Sequence, residues 1–124
     1  MKFYKCAKCG YISVMLSGSG EGMTCCGEPM EAAEPNTTEG AFEKHIPAVE
    51  AEGSKIKVQV GEVEHPMLEA HFIEWIALET KQGFQVKKLN PGDAPKAEFT
   101  VADGDEAISV YENCNLHGLW KADL

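Results

Sequence analysis

Ile56-Lys57-Val58-Gln59-Val60 alternates apolar and polar residues at period two, and Gly61 ends the run. That alternation belongs to a strand with one buried face and one wet face. The pattern continues outward: Phe84-Gln85-Val86-Lys87-Lys88-Leu89 is closed by Asn90-Pro91-Gly92-Asp93, and Ala97-Glu98-Phe99-Thr100-Val101 by Ala102-Asp103-Gly104-Asp105. Ala107 to Tyr111 reads the same way, and Ile46 to Val49 is a shorter strand-like run. Short strands at this spacing predict a mainly β chain whose larger part is an immunoglobulin-like β-sandwich, with the loops gathered at its ends. Phe72 to Thr80 is ambiguous, because Leu68, Phe72, Trp75, Ile76 and Glu79 also fit helical spacing. Strand is preferred there, since large apolar and aromatic residues cluster in it and strands surround it.

Toward the N-terminus the composition changes. Residues 1 to about 36 hold four cysteines, a Gly/Ser-rich stretch (Ser17-Gly18-Ser19-Gly20-Glu21-Gly22) and few large apolar groups. Such a segment needs a metal to hold it, because ligand binding supplies the missing folding free energy. Glu31-Ala32-Ala33-Glu34-Pro35-Asn36-Thr37-Thr38-Glu39-Gly40 is polar and rich in breakers, which marks a linker. The expected organisation is therefore a small metal-stabilised domain over 1–36 and a sandwich over 37–124. A chain of 124 residues accommodates one such core and an appendage.

A net charge of −9 argues against nucleic acid and anionic membrane as partners, and it opposes any anionic substrate. No run approaches the roughly 18 apolar residues of a membrane span. The start, MKFYKCAKCG, lacks the apolar stretch of a secretory signal, so a cytoplasmic location is expected. Thiols stay reduced there, and five cysteines, an odd number, then suit metal ligation better than a disulfide framework.

Cys6-Ala7-Lys8-Cys9-Gly10 is a Cys-x-x-Cys knuckle, and Cys25-Cys26-Gly27 supplies a second pair. Four thiolates make a closed tetrahedral site suited to zinc or to a single iron. A vicinal pair has to splay its side chains, so a distorted tetrahedron is expected. Residues 3 to about 33 resemble desulforedoxin, whose Cys-x-x-Cys and Cys-Cys-Gly bind one iron per chain in a dimer. The resemblance implies an electron-transfer iron; spacing alone leaves structural zinc open.

The four histidines and the fifth cysteine all lie beyond the linker. A lone histidine is more often a surface or satisfied core residue than a ligand, but the distribution points to a site. Cys114-Asn115-Leu116-His117 has the spacing of a chelating turn after a strand, His65 precedes Pro66, His71 lies before the Phe72 to Thr80 segment, and His45 precedes Ile46 to Val49. Sandwich loops at one end would bring the five together as a histidine-rich metal site.

Glu43-Lys44-His45-Ile46-Pro47, His65-Pro66-Met67 with His71-Phe72-Ile73-Glu74-Trp75-Ile76, and Cys114-Asn115-Leu116-His117-Gly118-Leu119-Trp120-Lys121 resemble desulfoferrodoxin, the two-iron superoxide reductase family, over essentially the whole chain. The resemblance implies two iron ions, one on Cys6, Cys9, Cys25 and Cys26, the other within a plane of His45, His65, His71 and His117 with Cys114 axial. The open sixth position would meet superoxide, which leaves as hydrogen peroxide. Lys44 would steer the anion against the unfavourable net charge, and Glu43 would reach the open position once iron is oxidised. Rubredoxin as electron donor and a homodimer are implied in the same way. Trp75 and Trp120 are taken as packing residues. Competing readings are a non-haem iron electron-transfer protein, a zinc-stabilised interaction module and a dismutase.

Overall fold

The computed structural model describes residues 1–124 and divides into two compact units, Met1–Glu34 and Pro35–Leu124. In the first, β1 (Phe3–Lys5) lies between β2 (Ile12–Val14) and β5 (Glu31–Ala33) in an antiparallel sheet. The knuckle closes β1 onto β2, with Cys6 N–H donating to Tyr11 O (2.8 Å) and Gly10 N–H to Cys6 O (3.0 Å). A second ribbon pairs β3 (Thr24–Cys25) with β4 (Glu28–Pro29) across Cys26-Gly27. A two-residue hairpin of the favoured twist requires positive φ at both loop positions, and Cys26 (φ 53°) and Gly27 (φ 74°) have it.

The second unit starts at Pro35, and the expected linker is structured in two places. Glu31–Ala33 is paired to β1. Asn36 brackets the last strand instead of floating: its amide donates to Leu119 O (3.0 Å), its side-chain nitrogen to Lys121 O (3.2 Å), and its side-chain oxygen accepts from Lys121 N–H (2.8 Å). Polar, breaker-rich composition marks irregular backbone, which here is irregular and still fixed by hydrogen bonds.

After the one-turn α1 (Phe42–His45), the unit is a sandwich of seven strands. One sheet has the order β10-β7-β6, from β6 (Pro47–Glu52), β7 (Lys55–Val60) and β10 (Lys96–Thr100); the other has the order β12-β11-β8-β9, from β8 (Ile73–Thr80), β9 (Gly83–Lys88), β11 (Ala107–Cys114) and β12 (Gly118–Asp123). All neighbouring strands are antiparallel. The inner faces meet in a core of Ile56, Val58 and Val60 from β7, Phe99 from β10, Ile73, Ile76 and Leu78 from β8, and Val110 and Cys114 from β11. Each fully buried Val, Ile or Leu contributes about 1.5–3 kcal/mol, so this cluster carries the sandwich. The Phe72 to Thr80 segment is strand over Ile73–Thr80, with one irregularity. The β8–β11 register shifts between Asn113 and Cys114, so that Glu112 faces Ile76 but Cys114 faces Ile73, leaving an extra residue on β8. The two inward isoleucines therefore stand three apart, as they would on a helix.

Alternation along β11 puts Glu112 on the same face as Val110 and Cys114. Its side chain is fully buried, neither carboxylate oxygen has a hydrogen-bond partner, and burial pushes its pKa well above the ordinary value. Because its folded pKa lies above the unfolded one, Glu112 leaves stability highest below the unfolded pKa, and stability is lost as pH rises toward the folded value. Glu112→Gln does not titrate. Chemical denaturation across pH 4 to 8 is expected to show Glu112→Gln gaining stability relative to wild type as pH rises; a pH-independent difference contradicts the assignment.

Candidate metal centre

The five candidate donors converge at one end of the sandwich. His45 closes α1; His65 ends a turn in which its N–H donates to Val60 O (3.2 Å); Leu68 and His71 exchange backbone hydrogen bonds (2.9 and 3.0 Å). Cys114 ends β11, and His117 sits in the turn to β12. Asn115, a residue that sequence reasoning gave no role, ties two of these loops together. Its side-chain oxygen accepts from Phe72 N–H (2.9 Å), its side-chain nitrogen donates to Ala70 O (3.1 Å), and its own amide donates to Phe72 O (3.1 Å). The only sequence signal was its place inside the Cys-x-x-His turn.

The imidazoles form a four-cornered ring. Successive centroids lie 4.7 Å (His45–His65), 4.7 Å (His65–His71), 4.9 Å (His71–His117) and 4.8 Å (His117–His45) apart, and each ring is nearly edge-on to the next. The diagonal His45–His71 is 6.5 Å. One donor atom from each histidine and Cys114 Sγ all fall within 4.8 Å of one another.

Backbone carbonyls fix which nitrogen points inward. His45 Nδ1 lies 2.7 Å from Ala41 O, and His65 Nδ1 lies 2.7 Å from Pro66 O, so each Nδ1 carries the proton and each Nε2 turns a lone pair to the centre. The two Nε2 atoms stand 3.2 Å apart, and His117 Nδ1 lies 3.1 Å from His45 Nε2. His71 Nε2 is buried with no partner at all. Lone pairs facing one another around a buried acceptor repel unless a cation lies between them, and neutral imidazoles with a thiolate suit a transition metal. The residues present therefore fit a metal ion.

The electrostatics agree. Burial lowers the pKa of His65 to about 4 and lowers those of His45 and His71, and neighbouring histidines push in the same direction. Burial also pushes the Cys114 thiol up, while the N–H groups of His117 and Leu116, aimed at its sulfur, pull it down. Those donors are arranged for a thiolate. His45, His65 and Cys114 are buried and His71 and His117 half-buried, so solvent reaches the ring at the latter two.

Glu43 and Lys44 are exposed on α1; the Lys44 charge bears on His71 and that of Glu43 on His45. Their position is set from below by the turn after β7. Val63 N–H donates to Glu43 O (2.9 Å), and Gly61 (φ 84°) passes so close that a Cβ there would sit 2.6 Å from Lys44 O and 2.2 Å from Val63 O. Trp120, expected only to pack, is fully buried and also stacks on His45 at 4.8 Å with its Nε1 donating to His117 O (3.0 Å).

In the first unit, Cys6, Cys9, Cys25 and Cys26 form a second group with sulfurs within 4.8 Å of one another, and no cysteine is in a disulfide. Cys9 and Cys25 sulfurs are 3.6 Å apart and those of Cys25 and Cys26 3.9 Å. The Cys9 N–H lowers Cys6 to about 7, whereas the Cys9 side chain and the other thiols raise Cys25 to about 12.

Fold and site together define a two-module β protein whose sandwich holds a four-histidine, one-cysteine centre. A family model described as Desulfoferrodoxin matches residues 37–123, and the chain belongs to that family. It is 48% identical over 123 residues to the desulfoferrodoxin of Nitratidesulfovibrio vulgaris (98% of this chain, 95% of that protein) and 47% identical to a desulfoferrodoxin homologue of Archaeoglobus fulgidus (98% and 96%). Among solved structures it resembles a superoxide reductase from Treponema pallidum (TM-score 0.79, 38% identity, 92% of this chain and 93% of that one). It also resembles one from Giardia intestinalis (TM-score 0.58, 32% identity, 66% and 97%).

Gly61→Ala places a methyl group against fixed backbone at a left-handed position, and is expected to cost about 2 kcal/mol or more. Because the displaced turn carries Lys44 and leads to His45, thermal unfolding and bound-metal analysis should both register a loss. Gly53→Ala, also at positive φ (61°) but with nothing near its Cβ, should lower stability without metal loss.

Proposed function

We propose that the protein is a superoxide reductase: with iron in the five-donor centre it reduces superoxide by one electron, and two protons complete hydrogen peroxide. The observation that carries this reading is the closed ring of four imidazoles and a thiol, with the buried His71 Nε2 unsatisfied, in a chain similar to superoxide reductases. Iron held by His45, His65, His71, His117 and Cys114 would supply a reducing one-electron couple. The chain's residues do the rest. Ala41 and Pro66 carbonyls hold His45 and His65 in the ligating tautomer. The amides of Leu116 and His117 stabilise the Cys114 thiolate, a ligand that favours electron release from the metal.

Superoxide approaches a protein of charge −9, so a local cation has to offset the long-range field. Lys44 would have that role: it is exposed on α1 and its charge reaches His71. Glu43, beside it on α1, would be the carboxylate available to the centre once its iron is oxidised. The four-cysteine group of the first unit binds a second iron in the manner of desulforedoxin, giving two iron ions per chain. Rubredoxin as donor, a homodimer and a cytoplasmic location complete the reading, the last supported by five free cysteines. A pure electron-transfer protein is less well supported, because a relay gains from a closed shell and His71 and His117 here are half-open to solvent.

Lys44→Ala is expected to slow the reaction with pulse-generated superoxide about tenfold at low ionic strength and to flatten its salt dependence; an unchanged rate removes Lys44 from the mechanism. In Cys114→Ser the visible thiolate-to-iron absorption should vanish along with most turnover. Metal analysis finding zinc in both sites would overturn the proposal outright.

A further inference from the structure

The four imidazoles are not held in place in the same way. Carbonyls of Ala41 and Pro66 stand 2.7 Å from Nδ1 of His45 and His65, and Trp120 Nε1 grips the His117 carbonyl (3.0 Å). No carbonyl backs the His71 ring, which is half-buried and whose Nε2 is buried without a partner. Where that ring points is therefore decided by its backbone. One edge of the backbone is closed by the Leu68–His71 pair, and the other by a side chain from a different ligand loop. Asn115 Nδ2 donates to Ala70 O (3.1 Å) while its Oδ1 accepts from Phe72 N–H (2.9 Å), so one amide group grips the residue before His71 and the residue after it.

The hydrogen bonds also say why the gripping residue is asparagine. Asn115 N–H donates to Phe72 O (3.1 Å), which carries the β8–β11 pairing one step past Cys114. In an antiparallel ladder the Phe72 N–H would return to the Asn115 main-chain oxygen. Here it goes to the side-chain oxygen instead, and the main chain turns off toward His117. Aspartate offers that acceptor but no donor for Ala70, and an aliphatic residue offers neither. We propose that Asn115 is the positioning residue of His71, and that it locks this ligand to the turn bearing Cys114 and His117, so that three of the five donors are set by one clamp. The inference rests on the reading of the five donors as a metal centre and not on the reaction performed there. Groups that orient a ligand in this way govern metal affinity by about 10–100-fold.

The experiment uses zinc. All four histidines belong to the five-donor centre, so NMR signals of their ring nitrogens report that site alone and are blind to zinc on Cys6, Cys9, Cys25 and Cys26. Chelator competition followed on those signals is expected to show zinc bound about 10–100-fold more weakly in Asn115→Ala. His71 should lose its metal-bound ring signal ahead of His45 and His65, whose carbonyls remain. In a His71→Ala background, Asn115→Ala should change the affinity by less than about twofold, because the ligand that it positions is gone. Gln85→Ala removes another side-chain hydrogen bond to backbone (Nε2 to Thr100 O, 2.8 Å) that touches none of the five donors, and should leave affinity and ring signals as in wild type. General loss of packing predicts the reverse, an undiminished penalty in the His71→Ala background and release of all four rings together. Either result overturns the clamp, as does wild-type affinity in Asn115→Ala. Amide exchange on the zinc-loaded wild-type protein adds a check that needs no variant: Phe72 N–H should be protected, and a freely exchanging one overturns the proposal. Zinc is redox-inert, so a failed superoxide reaction would sink the proposed function without entering any of these readouts.

Discussion

Mutual repulsion among buried lone pairs is the constraint around which the sandwich end is built. Burial disfavours the charged form of His45, His65 and His71, and their ring nitrogens converge on one another and on His117. Nothing apolar could satisfy such a cluster; only a cation does. The surrounding features follow from that requirement: carbonyls that fix tautomers, amides aimed at sulfur, and Asn115 fastening one ligand loop to another. The core supplies the rigidity, since Cys114 belongs both to the apolar cluster and to the metal centre. Packing and ligation are thereby joined in one residue.

The bulged register of β8 shows how this joining shapes the chain. Without the extra residue, strict alternation would turn Ile73 outward and put Glu74 opposite Cys114 on the inner face. The irregularity lets the core remain filled up to the strand end that bears the ligand. Glu112 belongs to the same neighbourhood: a neutral carboxyl without a partner costs about 1–3 kcal/mol, a penalty that the apolar residues around it more than offset.

Much of this was legible in the sequence. Period-two alternation identified β7, β9 and β10, and clustering of the histidines and the last cysteine beyond residue 36 identified the five donors. Four things were not. The helical spacing within β8 came from a bulge, which depends on a partner strand distant in sequence. The supposed linker contains β5 and the Asn36 bracket, whose partners Leu119 and Lys121 lie more than eighty residues away. Gly61 reads as a strand terminator, and only the fold reveals Lys44 lying against it. Trp120 reads as packing, which is correct as far as it goes; its stack on His45 is a matter of angle, and composition carries no angles.

The Asn36 bracket also says where the two modules come apart. The seam falls between Glu34 and Pro35, ahead of the bracket, so the clasp is the property of the sandwich and not of the cysteine module. Just beyond it, Gly40 lies against Trp120, His45 and His117, close enough that a methyl group would touch all three. The segment that crowds the histidine ring is therefore encoded with the sandwich, so that the ring and the backbone packed against it are inherited as one piece.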